Sequence, residues 1–173
     1  MALLAEEVVE EWLNQSGFFT IRGIKLGVQE MDILAIKNDG DQIDLRHYEV
    51  QASVNPVSYI TAVPKAIQKS EGRKPNSAKA RTRKELEIGV DEWIKKKFLM
   101  QGKAAMRQRL WYGRWSFHFV INKVKHPEEL EVFSETEVQI IRLKDILSEL
   151  KERGANSYTA ASKDLIDLML LDD

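Results

Sequence analysis

Three short segments rich in apolar, aromatic and β-branched residues follow one another between residues 18 and 53. They are Phe18–Ile24, Glu30–Ile36 and Ile43–Ser53. Gly27 interrupts the chain between the first two, and the polar turn Asn38–Asp41 lies between the second and the third. Runs of this composition are typical of β-strands. The second connection, Asn38–Asp41, contains Asn and Gly, which accept the positive φ of a tight turn. The pattern therefore predicts a meander of three strands.

The remaining segments predict helices packed against this sheet and two further strands. An amphipathic helix over residues 3–16, with glutamates opposite its apolar arc, ends at Gly17. The other predicted elements are a helix at 57–68 interrupted at Pro64, a loop at 69–79, a helix at 81–100, strands Trp115–Val124 and Val138–Leu143, and helices at 144–151 and 162–171. This order favours an α/β fold with a mixed sheet flanked by helices. The length of 173 residues suits a single domain, 1–173.

Positive charge is concentrated in one part of the chain, although the net charge is only −1. Residues 65–109 hold fourteen Lys and Arg against five Asp and Glu, whereas the other residues hold twelve against twenty-two. A solvated, salt-bridged pair of helices would explain this block, but five acids cannot pair fourteen bases locally. We therefore favour a basic insertion that meets nucleic acid. The candidate contact residues are Lys65, Lys69, Arg73, Lys74, Lys79, Arg81, Arg83, Lys84, Lys95, Lys96, Lys97, Arg107 and Arg109.

Several classes of protein are excluded by what the sequence lacks. No cysteine is present, which rules out disulfides, cysteine-bound zinc and thiol nucleophiles. No stretch approaches the roughly 20 apolar residues that cross a bilayer. The N-terminus carries glutamates rather than the basic flank of a signal peptide. We expect a cytoplasmic protein without contact to a membrane.

Polar residues interrupt two of the apolar strands. Asp32 lies within the second strand, and Glu49 and Gln51 lie within the third. Charged groups in the middle of apolar strands are costly unless they are paired or bind a metal. Strand side chains alternate, so Glu49 and Gln51 project from one face, and the hairpin brings Asp32 alongside. Such a set of oxygen ligands suits Mg²⁺ or Mn²⁺; a structural polar network between the strands is the alternative.

Asp32, followed by a strand that carries Glu49-Val50-Gln51, resembles the core of the PD-(D/E)XK nucleases, the restriction-endonuclease-like superfamily. The first helix, Gly17-Phe18 and the segment Glu30–Ala35 are also similar to archaeal Holliday-junction resolvases. The resemblance covers roughly residues 3–53. It implies a core of helix, three-strand meander, helix, strand, strand and helix.

The resemblance also implies site residues and an activity. Asp32 and Glu49 would bind the metal, and the position of the family lysine, which orients the attacking water, is occupied by Gln51. Met31 stands where the motif has proline. A further glutamate from the first helix would be Glu6, which borders the buried face, with Glu10 next. Since Gln51 brings no positive charge, a cation would have to come from elsewhere, and Lys65 and Lys69 are candidates.

The expected function is metal-dependent hydrolysis of DNA phosphodiester bonds, in restriction or in repair and recombination. Many members of the superfamily act as dimers, so a homodimer is a further expectation. Two alternatives stay open: a nucleic-acid-binding protein that kept the fold and lost the chemistry, and a protein-interaction domain with an acidic partner. Salt-sensitive DNA binding without cleavage would favour the first, and no DNA binding the second.

Other polar or aromatic groups are weaker candidates. The three histidines, His47, His118 and His126, are more simply core or surface histidines than general bases. His47 is two residues from Glu49 and would project from the same face of the strand. The mixture of Trp111, Tyr112, Arg114 and Trp115 could stack bases, but aromatic residues beside a strand are more often core. A second Glu-Val-Gln, at Glu137–Gln139, follows no strand with a central aspartate, and we interpret it as coincidence.

Overall fold

The computed structural model describes residues 2–52 and 56–153. Helix α1 (Ala2–Gln15) precedes strands β1 (Phe19–Leu26), β2 (Gln29–Asp39) and β3 (Gln42–Gln51). Helices α2 (Lys65–Glu71), α3 (Arg83–Ile94) and α4 (Gln101–Leu110) follow, and a π-helical segment, Lys95–Leu99, links α3 to α4. Strand β4 (Ser116–Ile121), helix α5 (Glu128–Ser134), strand β5 (Val138–Arg142) and helix α6 (Leu143–Arg153) complete the described fold.

The five strands form one mixed sheet in the order β1-β2-β3-β4-β5. The meander β1-β2-β3 is antiparallel, whereas β4 lies parallel to β3 and β5 parallel to β4. The predicted α/β class, the mixed sheet and the meander are therefore confirmed. The turn that joins β2 to β3 contains Gly40 at φ 76°, as its composition predicts.

Two apolar cores cover the two faces of the sheet, because side chains of a strand alternate. Val120 of β4 packs with α1 and α6, whereas its neighbours Phe119 and Ile121 pack with α3 and α5. A third, smaller cluster joins Met31, Leu34, Leu45 and Trp115 to Met106 of α4. The helices on both faces thus cover the strands that carry the candidate site.

The predicted helix at 57–68 is wrong over its first eight residues, 57–64, since only Lys65–Glu71 is helical. The backbone N–H groups of Ile60 and Thr61 donate to the buried carboxylate of Glu129, at 2.6 and 3.0 Å. A side chain that is distant in sequence therefore replaces the acceptors that a helix would supply.

The predicted helix at 81–100 is confirmed to within two residues, because helical backbone runs from Arg83 to Leu99 and changes from α to π on the way; two other helices were not predicted. The α-helical part ends at Ile94, and the extended backbone of Met100 then separates the π-helical segment from α4. Helices α4 and α5 are absent from the prediction. The helix predicted at 162–171 lies outside the described residues. Within the described part of the chain, every helix is too short or too polar to cross a membrane.

Candidate functional site

Asp32 lies where β2 and β3 separate. The pairing of the two strands ends at Ile33 opposite Tyr48, whereas β3 stays paired with β4 as far as Gln51. The Asp32 carboxylate accepts a hydrogen bond from the backbone N–H of Val50 at 2.7 Å. A side chain thus takes the place of the next ladder acceptor. Burial and the negative charge of Glu49 raise the pKa of Asp32 to about 7.

Glu49 projects into a buried site on the α3–α4 side of the sheet and is only 1% exposed. Its Oε1 lies 3.2 Å from His47 Nε2 and 2.8 Å from Lys103 Nζ, and its Oε2 lies 2.6 Å from Lys97 Nζ. Burial alone raises the pKa of Glu49. The hydrogen bond from His47 and the charges of the two lysines outweigh this effect and lower the pKa to about 2.

The protonation of His47 follows from its partners. Arg107 Nη1 lies 3.1 Å from His47 Nδ1 and also donates to the carbonyl of Phe98 at 2.9 Å. A guanidinium can only donate, so Nδ1 accepts and Nε2 carries the proton that is donated to Glu49. Burial lowers the pKa of His47 to about 4, which leaves the ring neutral near pH 7. His47 is thus a donor that orients Glu49 rather than a free base.

The two lysines differ in exposure. The Lys103 side chain is 3% exposed and also donates to the Lys97 carbonyl at 2.8 Å, whereas the Lys97 side chain is 33% exposed. Burial disfavours the charged form of Lys97, but the carboxylates of Glu49 and Asp32 outweigh it and raise its pKa. Lys103 therefore pairs with Glu49 in the interior, and Lys97 pairs with it at the surface.

The cations beside Glu49 are Lys97 and Lys103, not Lys65 or Lys69 as predicted. Both Lys65, the first residue of α2, and Lys69 are exposed, and neither contacts Asp32 or Glu49. Lys97 was predicted only as a phosphate contact, and Lys103 was missed. One signal was available: from Lys95 to Arg114 the sequence contains no acid, so bases in this stretch need partners from elsewhere.

Glu6 and Gln51 differ in how closely they join the site. Burial, with the charges of Glu30 and Glu49, raises the pKa of Glu6, and Lys97 opposes the shift, so Glu6 lies within the field of the site. Gln51 ends β3 and is half-buried, and its amide makes no hydrogen bond to another described residue. Glu10 instead forms a surface pair with Arg22 at 3.1 Å.

The site offers at most two or three carboxylates as ligands for a metal ion. Among the described residues, no group of three or more His, Cys, Asp or Glu side chains is placed to hold a metal ion. Mg²⁺ is commonly bound by one or two carboxylates together with water and substrate phosphates. Asp32 and Glu49 can supply these two carboxylates, with Glu6 nearby. Both oxygens of Glu49 already have lysine partners, so Lys97 would have to move aside.

The basic residues predicted to bind nucleic acid separate into two groups. Several form ion pairs within the protein: Arg73 pairs with Glu85, Arg83 with Glu135 and Lys95 with Asp91. In addition, Arg81 donates to Thr61 and stacks on Tyr59, and Arg107 is buried. The exposed residues are Lys65, Lys69, Lys74, Lys79, Lys84, Lys96 and Arg109.

The remaining candidates are also placed by the structure. His118 is buried and stacks on Tyr48, as a core histidine does, and His126 stacks on Tyr59 at the surface. Trp115 belongs to the core, whereas Trp111 is 44% and Tyr112 89% exposed. The aromatic cluster near residue 112 is thus divided between core and surface.

No known protein-family model matches the chain, and no curated protein sequence is significantly similar to it. A crystal structure of a protein of unknown function, AF1548, superposes with a TM-score of 0.47 at 12% identity. The superposition covers 87% of this chain and 67% of that protein.

Proposed function

We propose that this chain is a metal-dependent endonuclease that hydrolyses DNA phosphodiester bonds at Asp32, Glu49 and Lys97. The observation that carries the proposal is that Asp32, bound to the Val50 N–H where β2 and β3 separate, lies within the field of Glu49, whose carboxylate binds the partly exposed ammonium of Lys97. The order of elements also supports it, since a helix, a three-strand meander and two later strands agree with the order that the PD-(D/E)XK resemblance implies.

The residues of the site divide the chemistry among them. When bound, Mg²⁺ or Mn²⁺ would lower the pKa of a water molecule and neutralise charge on the phosphate. Asp32 and Glu49 would hold the cation. His47 and Lys103 keep Glu49 oriented, and Lys97, released from Glu49, offers its ammonium to the phosphate. Gln51 can only orient a water molecule through its amide, because an amide is not a base.

A second candidate function is nucleic-acid binding without cleavage. It is favoured by the partners of Glu49, since both carboxylate oxygens are already occupied by ammonium groups. A carboxylate neutralised in this way needs no metal. Phosphate contacts from the exposed lysines would then give affinity with a steep salt dependence.

Nicking of supercoiled plasmid with Mg²⁺ or Mn²⁺ tests the proposal. Wild type is compared with Asp32→Asn, Glu49→Gln and Lys97→Met, and we expect each of the three to lose cleavage. Two exposed residues that are not candidate contacts serve as controls that retain it: Asp41→Asn in the β2–β3 turn and Lys144→Met on α6.

The possible outcomes separate the candidates. Nicking that survives Asp32→Asn and Glu49→Gln would refute the site. Salt-sensitive DNA binding by a wild type that does not cut would favour the binding protein, and no DNA binding would favour an interaction domain with an acidic protein partner. Linear product without accumulation of nicked circles would indicate two copies acting together, as in a homodimer.

A further inference from the structure

The segment from Lys95 to Arg114 has a site-facing side and a surface side. It contains seven bases and no acid. Lys103 and Arg107 point inward and contact Glu49 and His47. On the other faces of α4, Gln108 and Arg109 are exposed. One helix therefore connects the candidate site to an exposed arginine.

Exposed apolar groups are concentrated at the end of this segment. Trp111 and Tyr112, 44% and 89% exposed, directly follow α4. The turn that carries them is fixed: Gln108 donates to the Gly113 carbonyl at 2.8 Å and accepts from its N–H at 3.1 Å. The indole N–H of Trp115 donates to the Trp111 carbonyl at 3.1 Å. The Tyr112 ring is thus presented to solvent from an ordered turn.

The charges around Tyr112 differ between its two sides. Arg114 lines a cavity together with Asp39, Asp44 and Glu137, and these acids repel phosphate on that side. Toward the site, Arg109 is exposed and forms no ion pair with another described residue. A polyanion in contact with Tyr112 would therefore follow α4 toward Lys97.

We propose that Tyr112 is a stacking platform for single-stranded nucleic acid, which the outer face of α4 leads toward Asp32 and Glu49. An unpaired base can place its π-face on an exposed ring, whereas the bases of a duplex are stacked inside the helix. Helix α4 runs seven residues from Lys103 to Leu110, which is roughly 10 Å. At about 3.4 Å per stacked nucleotide this is roughly three nucleotides. The substrate of the proposed nuclease would then contain an unpaired strand, an inference that rests on the proposed function.

The test measures binding without cleavage. A fluorescein-labelled 12-nucleotide DNA of mixed sequence, alone or annealed to its complement, is titrated with protein in EDTA while anisotropy is recorded. Wild type should bind the single strand more tightly than the duplex. Tyr112→Ala should weaken single-strand binding roughly 5- to 150-fold, and Tyr112→Phe, which keeps the ring, should retain it. Phe19→Ala, which removes a ring that is 83% exposed on β1, is the matched control and should bind as wild type does.

The proposal is overturned if Tyr112→Ala binds the single strand as wild type does, if the duplex loses as much affinity, or if Phe19→Ala produces the same loss. Absence of single-strand binding by wild type overturns it as well. Because EDTA removes the metal, this result is independent of the nicking assay. If wild type does not cut DNA but Tyr112→Ala loses single-strand binding, the stacking role of Tyr112 is supported and the proposed nuclease activity is not. Nicking that depends on Asp32, with no effect of Tyr112, would leave the nuclease standing without the platform.

Discussion

Replacing Glu49 by alanine should destabilise the fold far more than removal of a surface acid. Glu49 is 1% exposed, and it is the carboxylate partner of Lys103, whose side chain is 3% exposed. Without Glu49, the Lys103 ammonium retains only the Lys97 carbonyl as a described partner. Breaking a buried ion pair on one side costs about 3–5 kcal/mol. With an m-value of about 2 kcal/mol/M, the urea midpoint should fall by about 2 M.

Urea unfolding followed by tryptophan fluorescence measures this loss. The matched control is Asp91→Ala. Asp91 pairs with Lys95 at 2.6 Å, which is also the distance between Lys97 and Glu49, but the side chains of Asp91 and Lys95 are both more than half exposed. An exposed pair contributes about 0–1 kcal/mol. Adding Lys103→Met to Glu49→Ala should restore part of the stability by removing the unpaired charge. The reasoning is refuted if Glu49→Ala loses no more than Asp91→Ala, or if the second change restores nothing.

Three further outcomes are expected. The pKa of Asp32, about 7, lies above its unfolded value, so the folded state binds this proton more tightly and the stabilisation from Asp32 is lost as pH rises from about 4 to 7. His47 and His118, whose pKa values burial lowers to about 4, act in the opposite direction, so wild type is compared with Asp32→Asn: the urea midpoint of wild type relative to that of Asp32→Asn should be lower at pH 8 than at pH 5, and an equal difference at the two pH values would contradict the raised pKa. Lys97→Met should abolish nicking with a small change in urea midpoint, whereas Lys103→Met should lower the midpoint more; equal midpoints would contradict the difference in burial. Nitrogen-15 NMR should show His47 neutral and protonated at Nε2 at pH 6, and an imidazolium at that pH would contradict the hydrogen-bond assignment.

The strands could be predicted because their signal is local. Alternation and turn residues identify β1, β2 and β3, and the observed bounds differ from the predicted ones by no more than three residues at either end. Helix α4 has no comparable signal, since the buried residues among its ten include Lys103 and Arg107. A pattern of buried apolar residues cannot identify a helix that buries charges. Helix α5 fails for the same reason, because Glu129 is fully buried.

The two carboxylates of the site were predictable and their cations were not. Asp32 and Glu49 lie on strands joined by a tight turn, so local structure brings them together. Lys97 and Lys103 are separated from Glu49 by 48 and 54 residues in sequence. Their approach depends on the packing of α3 and α4 on the sheet, which no local pattern encodes. Lys97 also lies on a π-helical segment, and such segments occur frequently at functional sites.

The buried charges nevertheless imply one another. An acid inside an apolar strand needs a cation or a hydrogen-bond donor, because an unpaired buried charge is costly. A stretch of twenty residues with seven bases and no acid needs partners outside itself for every base that it buries. Glu49 and the segment 95–114 satisfy both needs at once. Lys103 and Arg107 meet the requirement from inside, so Lys97, the most exposed partner of Glu49, is the group that can leave the carboxylate when a phosphate or a metal ion enters.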